Sequence, residues 1–177
     1  RELLENLEID CKTWKNLFSQ AKETGLLVSA FVYDEESLEW VKDWDPDMYK
    51  LNSSDLTLEP MLKGVAKTKK PLTLGTGASQ VEEIRYGIET LKTYNDKVIL
   101  MHGVQDFPTE IHNSRLNRIE FLKNIFNGPV GFADHTDGSN RLAKYIDLIA
   151  LGQGASVFEK HITLDRKAKS TDYQAAL

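Results

Sequence analysis

Six short apolar runs recur along the chain, each separated from the next by an amphipathic stretch with helical spacing. They are Leu26–Asp34, Met48–Asp55, Pro71–Ser79, Lys97–Val104, Pro129–Thr136 and Ala155–Asp165. The runs are nearly continuous in apolar residues and do not alternate with polar ones. Strands of a parallel sheet covered on both faces read this way. Strand–helix units repeated at this spacing predict an α/β domain over 1–177 with no internal boundary.

The intervening segments carry helix signals. Asp10 is placed to cap a helix whose stripe is Trp14, Leu17, Phe18 and Ala21, and Gly25 is placed to end it. Leu3, Leu4 and Leu7 suggest the tail of an earlier helix. Asp34 precedes a helix with Leu38 and Val41, which Trp44 and Pro46 end, and Pro60 opens one through Leu62, Val65 and Ala66. Ser79 and Glu82 spell a capping box ahead of Ile84, Ile88 and Leu91. Leu116, Ile119, Leu122 and Ile125 form a further face, and Leu142, Ala143, Ile146 and Ile149 another that ends near Gly152.

Two architectures fit such a chain, a (β/α)8 barrel and an open doubly wound sheet. No G-x-G-x-x-G follows the first run, and nearly every run ends in a polar cluster. A barrel draws its functional groups from many strand ends, so the TIM barrel is the expectation. Eight strands are needed and six are visible, which predicts two βα units upstream and a final helix downstream. A sheet left with two open edges predicts that the 177 residues alone are inactive.

Composition narrows the partners. A net charge of −5 gives no electrostatic footprint for nucleic acid or an anionic membrane surface. An anionic substrate would need locally gathered cations. Cys11 is the single cysteine, so no intrachain disulfide forms; this suits a reducing, cytoplasmic compartment. No run is long enough to span a bilayer and no signal peptide is apparent.

Chemistry concentrates at the carboxyl ends of the runs. His135 and His161 close the last two, and neighbouring barrel strands would bring both imidazoles to one divalent ion. Asp134 or Glu159 could support them from behind. Each histidine is equally readable as a hydrogen-bonded structural residue. Lys50 lies mid-run, either holding an anion inside a barrel or snorkelling to the surface. Ser53, Ser54 and Asp55 are a capping turn or ligands for a polar substrate. Gly75-Thr76-Gly77 resembles an anion-cradling turn. His102 shares a rim with Gln105 and Asp106 and could line a pocket, whereas His112 reads as solvated. The charged loop Asp165–Asp172 is solvated surface or a lid over the barrel mouth.

The segments MYKLNSSDL, PLTLGTG, VILMHGVQDFPT, VGFADHTDG and FEKHITLDR stand in the order found in the sialic acid synthases, and the resemblance covers essentially the whole chain. That family includes N-acetylneuraminate, legionaminate and pseudaminate synthases. The resemblance implies a (β/α)8 barrel lacking its first two strands here. A small antifreeze-like domain often follows in the family and gives an arginine to the partner subunit of a homodimer; this chain ends before one. It also implies condensation of phosphoenolpyruvate with an N-acylmannosamine-type aldehyde and release of phosphate. By position, His135 and His161 match the metal-binding histidines, with Mn or Mg polarising the aldehyde oxygen. Lys50 and Ser53 match phosphoenolpyruvate-binding positions, Asp55 an acid near the reacting sugar, and Asp172 a sugar-hydroxyl ligand. His102 and Gln105 are further substrate-binding candidates.

The chain departs from that pattern in four places. The family usually carries serine at Ala133, a small hydroxyl residue at Gly75, asparagine or serine at Gln105, and tyrosine at Phe107. Lost hydrogen bonds to a charged substrate would weaken binding by roughly 1.5–3 kcal/mol each unless replaced. Two other readings stand beside the synthase. One is a barrel that has lost catalysis and serves as a binding scaffold. The other is a different metal-dependent barrel lyase or aldolase, in which Lys50 could form a Schiff base.

Overall fold

The computed structural model describes residues 7–177. Leu3 and Leu4, read as part of a helix tail, lie outside the described residues. The first described helix, α1 (Cys11–Glu23), is capped by Asp10, whose carboxylate accepts from the Thr13 amide at 2.8 Å. Then come β1 (Ser29–Phe31), α2 (Glu35–Lys42), β2 (Met48–Leu51), α3 (Glu59–Ala66), β3 (Leu72–Gly75) and α4 (Val81–Lys92). The rest is β4 (Val98–His102), α5 (Asn117–Ile125), β5 (Val130–Asp134), α6 (Ile146–Gly152) and β6 (Val157–Lys160).

The six strands form one parallel sheet in sequence order. A doubly wound sheet reverses its order at a switch point, so this order excludes that alternative. The sheet is also strongly curled. Lys50 of β2 and Glu159 of β6 meet at 2.5 Å, although four strand spacings in a flat sheet would hold them roughly 19 Å apart. The result is a curled half-barrel with β1 and β6 at its edges.

Side-chain alternation divides the two faces. Leu51, Leu72, Leu74, Leu100 and Val130 point outward and are buried under Leu38, Leu62, Ile84 and Ile119 of the helices. Phe31, Lys50, Thr73, Met101, Ala133 and Glu159 line the concave face instead. The apolar core therefore lies between sheet and helices, and the concave face mixes apolar residues with polar ones.

Several boundaries differ from the expected ones. The run through Asp165 leaves the sheet after Lys160. Beyond that point the backbone pairs with the C-terminal segment, through Leu177 N to His161 O and Thr163 N to Leu177 O. Met48–Asp55 stops as a strand at Leu51, and Ser53–Thr57 tightens into a 3-10 turn capped by Asn52. The box before α4 is shifted by one residue, with Glu83 accepting from the Gln80 amide. Leu142 and Ala143 sit on a separate 3-10 turn, Arg141–Lys144, and the buried residues there are Ala143, Ile146 and Ala150.

Gly131 allows β5 to pass closely over its neighbours. A methyl at that position would sit 2.5 Å from Met101 Sδ and 2.6 Å from the Val157 carbonyl oxygen. Gly131→Ala is expected to destabilise the protein by about 1–3 kcal/mol, seen as a lower urea midpoint at constant m value. An unchanged midpoint would show that β5 and β6 separate freely.

Candidate functional site

Because all six strands run the same way, their carboxyl ends share one rim. A cavity of about 220 Å³ opens there, lined by the inward residues of every strand. His135 follows the last residue of β5, and His161 follows the last residue of β6. Asp134 and Lys160 are register partners, so the two imidazoles leave the sheet side by side. Their ring centroids are 5.5 Å apart, and Phe107 lies edge-on to both at 5.4 Å.

The donor chemistry suits a cation. His135 Nδ1 lies 3.0 Å from the Val104 carbonyl oxygen. A carbonyl only accepts, so Nδ1 carries the proton and the neutral ring keeps its lone pair at Nε2. Desolvation, and then the neighbouring His135, hold the His161 pKa below the ordinary histidine value, which favours the neutral ligand form. Asp172 Oδ2 is 3.9 Å from His161 Nδ1, beyond hydrogen-bond reach. Among the described residues no group of three or more His, Cys, Asp or Glu side chains is placed to hold an ion. The pair of imidazoles would leave most of a cation's coordination positions to substrate and water.

Lys50 faces the cavity, with its ammonium 4.8 Å above the Phe31 ring and bonded to Glu159. Thus Glu159, considered from sequence as support for the histidines, is the partner of the cavity lysine. Asp134 is not inside the cavity either. It points to the outer face and meets Lys160.

Ser53 lies beside the cavity, where Gln105 Nε2 donates to its hydroxyl at 3.0 Å. Two expected members of the site therefore touch. Asp55 does not reach the cavity wall. Its carboxylate accepts from the Asn52 amide at 2.8 Å and caps the 3-10 turn. Burial raises its pKa above the ordinary aspartate value. Gly75 belongs to the wall because a Cβ there would come within 2.9 Å of the Ser53 amide nitrogen.

His102 contradicts its expected place. It is the outward residue at the end of β4, 1% exposed, stacked on Phe132, and outside the cavity lining. Its Nε2 donates to the Ser114 carbonyl at 2.8 Å, and its buried Nδ1 has no partner. Strand parity explains the difference: Met101 and Gly103 face in, so the residue between them faces out. Sequence reading missed Phe31, Thr73 and Asn52 as cavity residues. For Phe31 and Thr73 the available signal was their register with Lys50 across β1, β2 and β3.

The NeuB family model matches residues 1–177. An uncharacterised protein of Methanocaldococcus jannaschii is 34% identical over 97% of this chain and 50% of its own length. The N,N'-diacetyllegionaminic acid synthase of Campylobacter jejuni is 31% identical over 99% of this chain and 52% of its own. The chain thus spans about half the length of the curated relatives it matches. Among solved structures, an N-acetylneuraminic acid synthetase from Leptospira borgpetersenii superposes with a TM-score of 0.92 at 26% identity. That superposition covers 99% of this chain and 60% of the other.

Burial lowers the His102 pKa, mainly by desolvation. The unfolded chain therefore takes up this proton first as the pH falls below the ordinary value of about 6.5. The His102 contribution is complete above that pH and is lost on acidification. His102→Gln is expected to flatten the decline in urea midpoint between pH 7 and 5.5, and an unaltered decline would show that His102 titrates freely when folded.

Proposed function

Since the chain belongs to the NeuB family, we propose that the intact protein condenses phosphoenolpyruvate with an N-acylmannosamine-type aldehyde to a nonulosonic, sialic-type acid. The observation that carries this reading is the meeting of His135, His161 and Lys50 around one cavity at the carboxyl rim of a curled parallel sheet. The kinship to acid synthases of this type supports it.

In this reading the phosphoenolpyruvate methylene carbon forms the new bond to the aldehyde carbon. Water adds to the former enol carbon, whose bond to the phosphate oxygen then breaks and releases phosphate. His135 and His161 would hold a divalent ion, Mn or Mg, which supplies Lewis-acid polarisation of the aldehyde oxygen when bound. Lys50 presents positive charge to the phosphate or carboxylate, and the substrate anion competes with Glu159 for it. Gln105 and Ser53 offer polar contacts beside it. Asp55 serves this site by fixing the Asn52–Ser53 turn, and Asp172 stands at the mouth for a sugar hydroxyl.

Closure into an eight-stranded barrel, with two further strands between β6 and β1, is part of the same proposal. So are a homodimeric whole protein and a cytoplasmic location. Among the described residues no helix is long and apolar enough to cross a membrane.

The test supplies the intact protein with phosphoenolpyruvate, Mn and N-acetylmannosamine or a related acetamido sugar, and follows phosphate. Release is expected with at least one sugar, and none with any would overturn the reading. His135→Ala is expected to lower kcat/KM by at least about 100-fold, the scale of losing one electrostatic stabiliser of the transition state. Lys50→Met should raise the KM for phosphoenolpyruvate by about 10–100-fold, the worth of a charged hydrogen bond. Borohydride with pyruvate should leave Lys50 unmodified; a trapped adduct would assign a Schiff-base aldolase instead.

A further inference from the structure

Directly behind the two imidazoles, on the outer face of the sheet, lies a charge cluster that the reaction does not use. Lys160 is the register partner of Asp134. Its ammonium bonds the Asp134 carboxylate, the Asp147 carboxylate at 2.9 Å and the Ala143 carbonyl at 2.6 Å. The lysine head thus makes two hydrogen bonds, to Asp134 and Ala143, and a second ion pair with Asp147. The Asp134 side chain is 1% exposed and that of Lys160 is 17% exposed.

The second Asp134 oxygen, Oδ1, accepts from the Thr136 amide at 2.8 Å. Asp134 therefore clasps the backbone on both sides of His135, while Lys160 immediately precedes His161. Beside the strand ladder and the shared Phe107 contact, this outer ion pair joins the residue before one histidine to the residue before the other. Ala143, Asp147 and the strand ends are drawn to the same ammonium, which ties the segment after β5 to β6.

A buried ion pair adds little net stability, because desolvation offsets the attraction. Its effect here is on register. A slip of one residue between β5 and β6 would send His161 to the face opposite His135, and it would also separate Lys160 from Asp134.

We propose that Lys160 is a positioning residue that, through Asp134, sets the spacing and orientation of His135 and His161 for a shared divalent cation. The metal part of this inference rests on the reading of those histidines as ligands; the positioning part concerns ring geometry and stands apart from it.

The experiment uses the intact protein and Lys160→Met, with Mn affinity read by electron paramagnetic resonance. Imidazole nitrogen shifts of the metal-free protein are recorded at fixed pH. Mn affinity is expected to fall by about 10–100-fold, the range for loss of a group behind metal ligands. The His135 and His161 signals should move while those of distant, exposed His112 stay. Asp147→Asn, which leaves the Asp134 pair in place, should alter neither readout. If Lys160→Met does not fold, Asp134→Asn gives the same comparison, since its amide can still accept from Thr136. Unchanged affinity and unchanged ring signals beside a lowered melting temperature would overturn the proposal. Wild-type protein that binds no Mn would overturn the metal assignment, leaving the positioning role to be decided on the ring signals.

Discussion

Strand register is the constraint on which the rest of the molecule depends. A parallel ladder sends successive side chains to opposite faces, and six strands in sequence order repeat that choice across the sheet. The outward set is mostly apolar and packs beneath the helices, where burial contributes roughly 25 cal/mol per Å²; His102, Asp134 and Lys160 are its polar members near the carboxyl ends. The inward set near the carboxyl ends includes Lys50, Thr73 and Glu159, with His135 and His161 just beyond. Stability and chemistry are thus carried by alternating positions of the same strands.

Curvature gives this division its functional meaning. A flat parallel sheet would keep β2 and β6 too far apart for any side chains to meet. The bond from Lys50 to Glu159 crosses the concave face and joins those two strands. A cation and an anion of the protein already neutralise one another inside the cavity. If an anion binds there, as proposed, it would have to displace Glu159 from Lys50. The Phe31 ring lies beneath the ammonium and holds the lysine head over the cavity.

Much of this was legible in the sequence because it is periodic or local. The apolar runs located all six strands, and the caps at Asp10 and Asp34 stand where they were expected. The two terminal histidines were recognised by their equivalent places at the ends of successive runs. What stayed hidden was parity. Whether His102 faces in or out depends on a register that a nearly uniform apolar run does not reveal, since every position looks equally suited to burial. The same ambiguity affected Asp134 and Glu159, which lie on opposite faces although both precede a histidine by one or two positions. Asp55 was left open between a capping turn and a substrate ligand. Aspartate is a frequent capping residue and a frequent catalytic acid, and only the hydrogen bond to Asn52 distinguishes them.

The four departures from the sialic acid synthase pattern are not equivalent once they are placed. Gly75 is packed so closely on the Ser53 amide that a hydroxyl-bearing side chain would force the 3-10 turn outward. The Ser53 hydroxyl beside the cavity accepts from the Gln105 amide. Gln105 is longer than the asparagine or serine usual in the family, and its extra reach is what brings Nε2 to Ser53. Ala133 and Phe107 have no such partner: one leaves the wall apolar beside Gly103, and the other sets a ring edge against both imidazoles where a phenol is usual. Apolar surroundings at the histidines strengthen electrostatic interactions with a bound cation. In the proposed reaction the loss of hydroxyl groups would fall mainly on the anion, which would depend more heavily on Lys50.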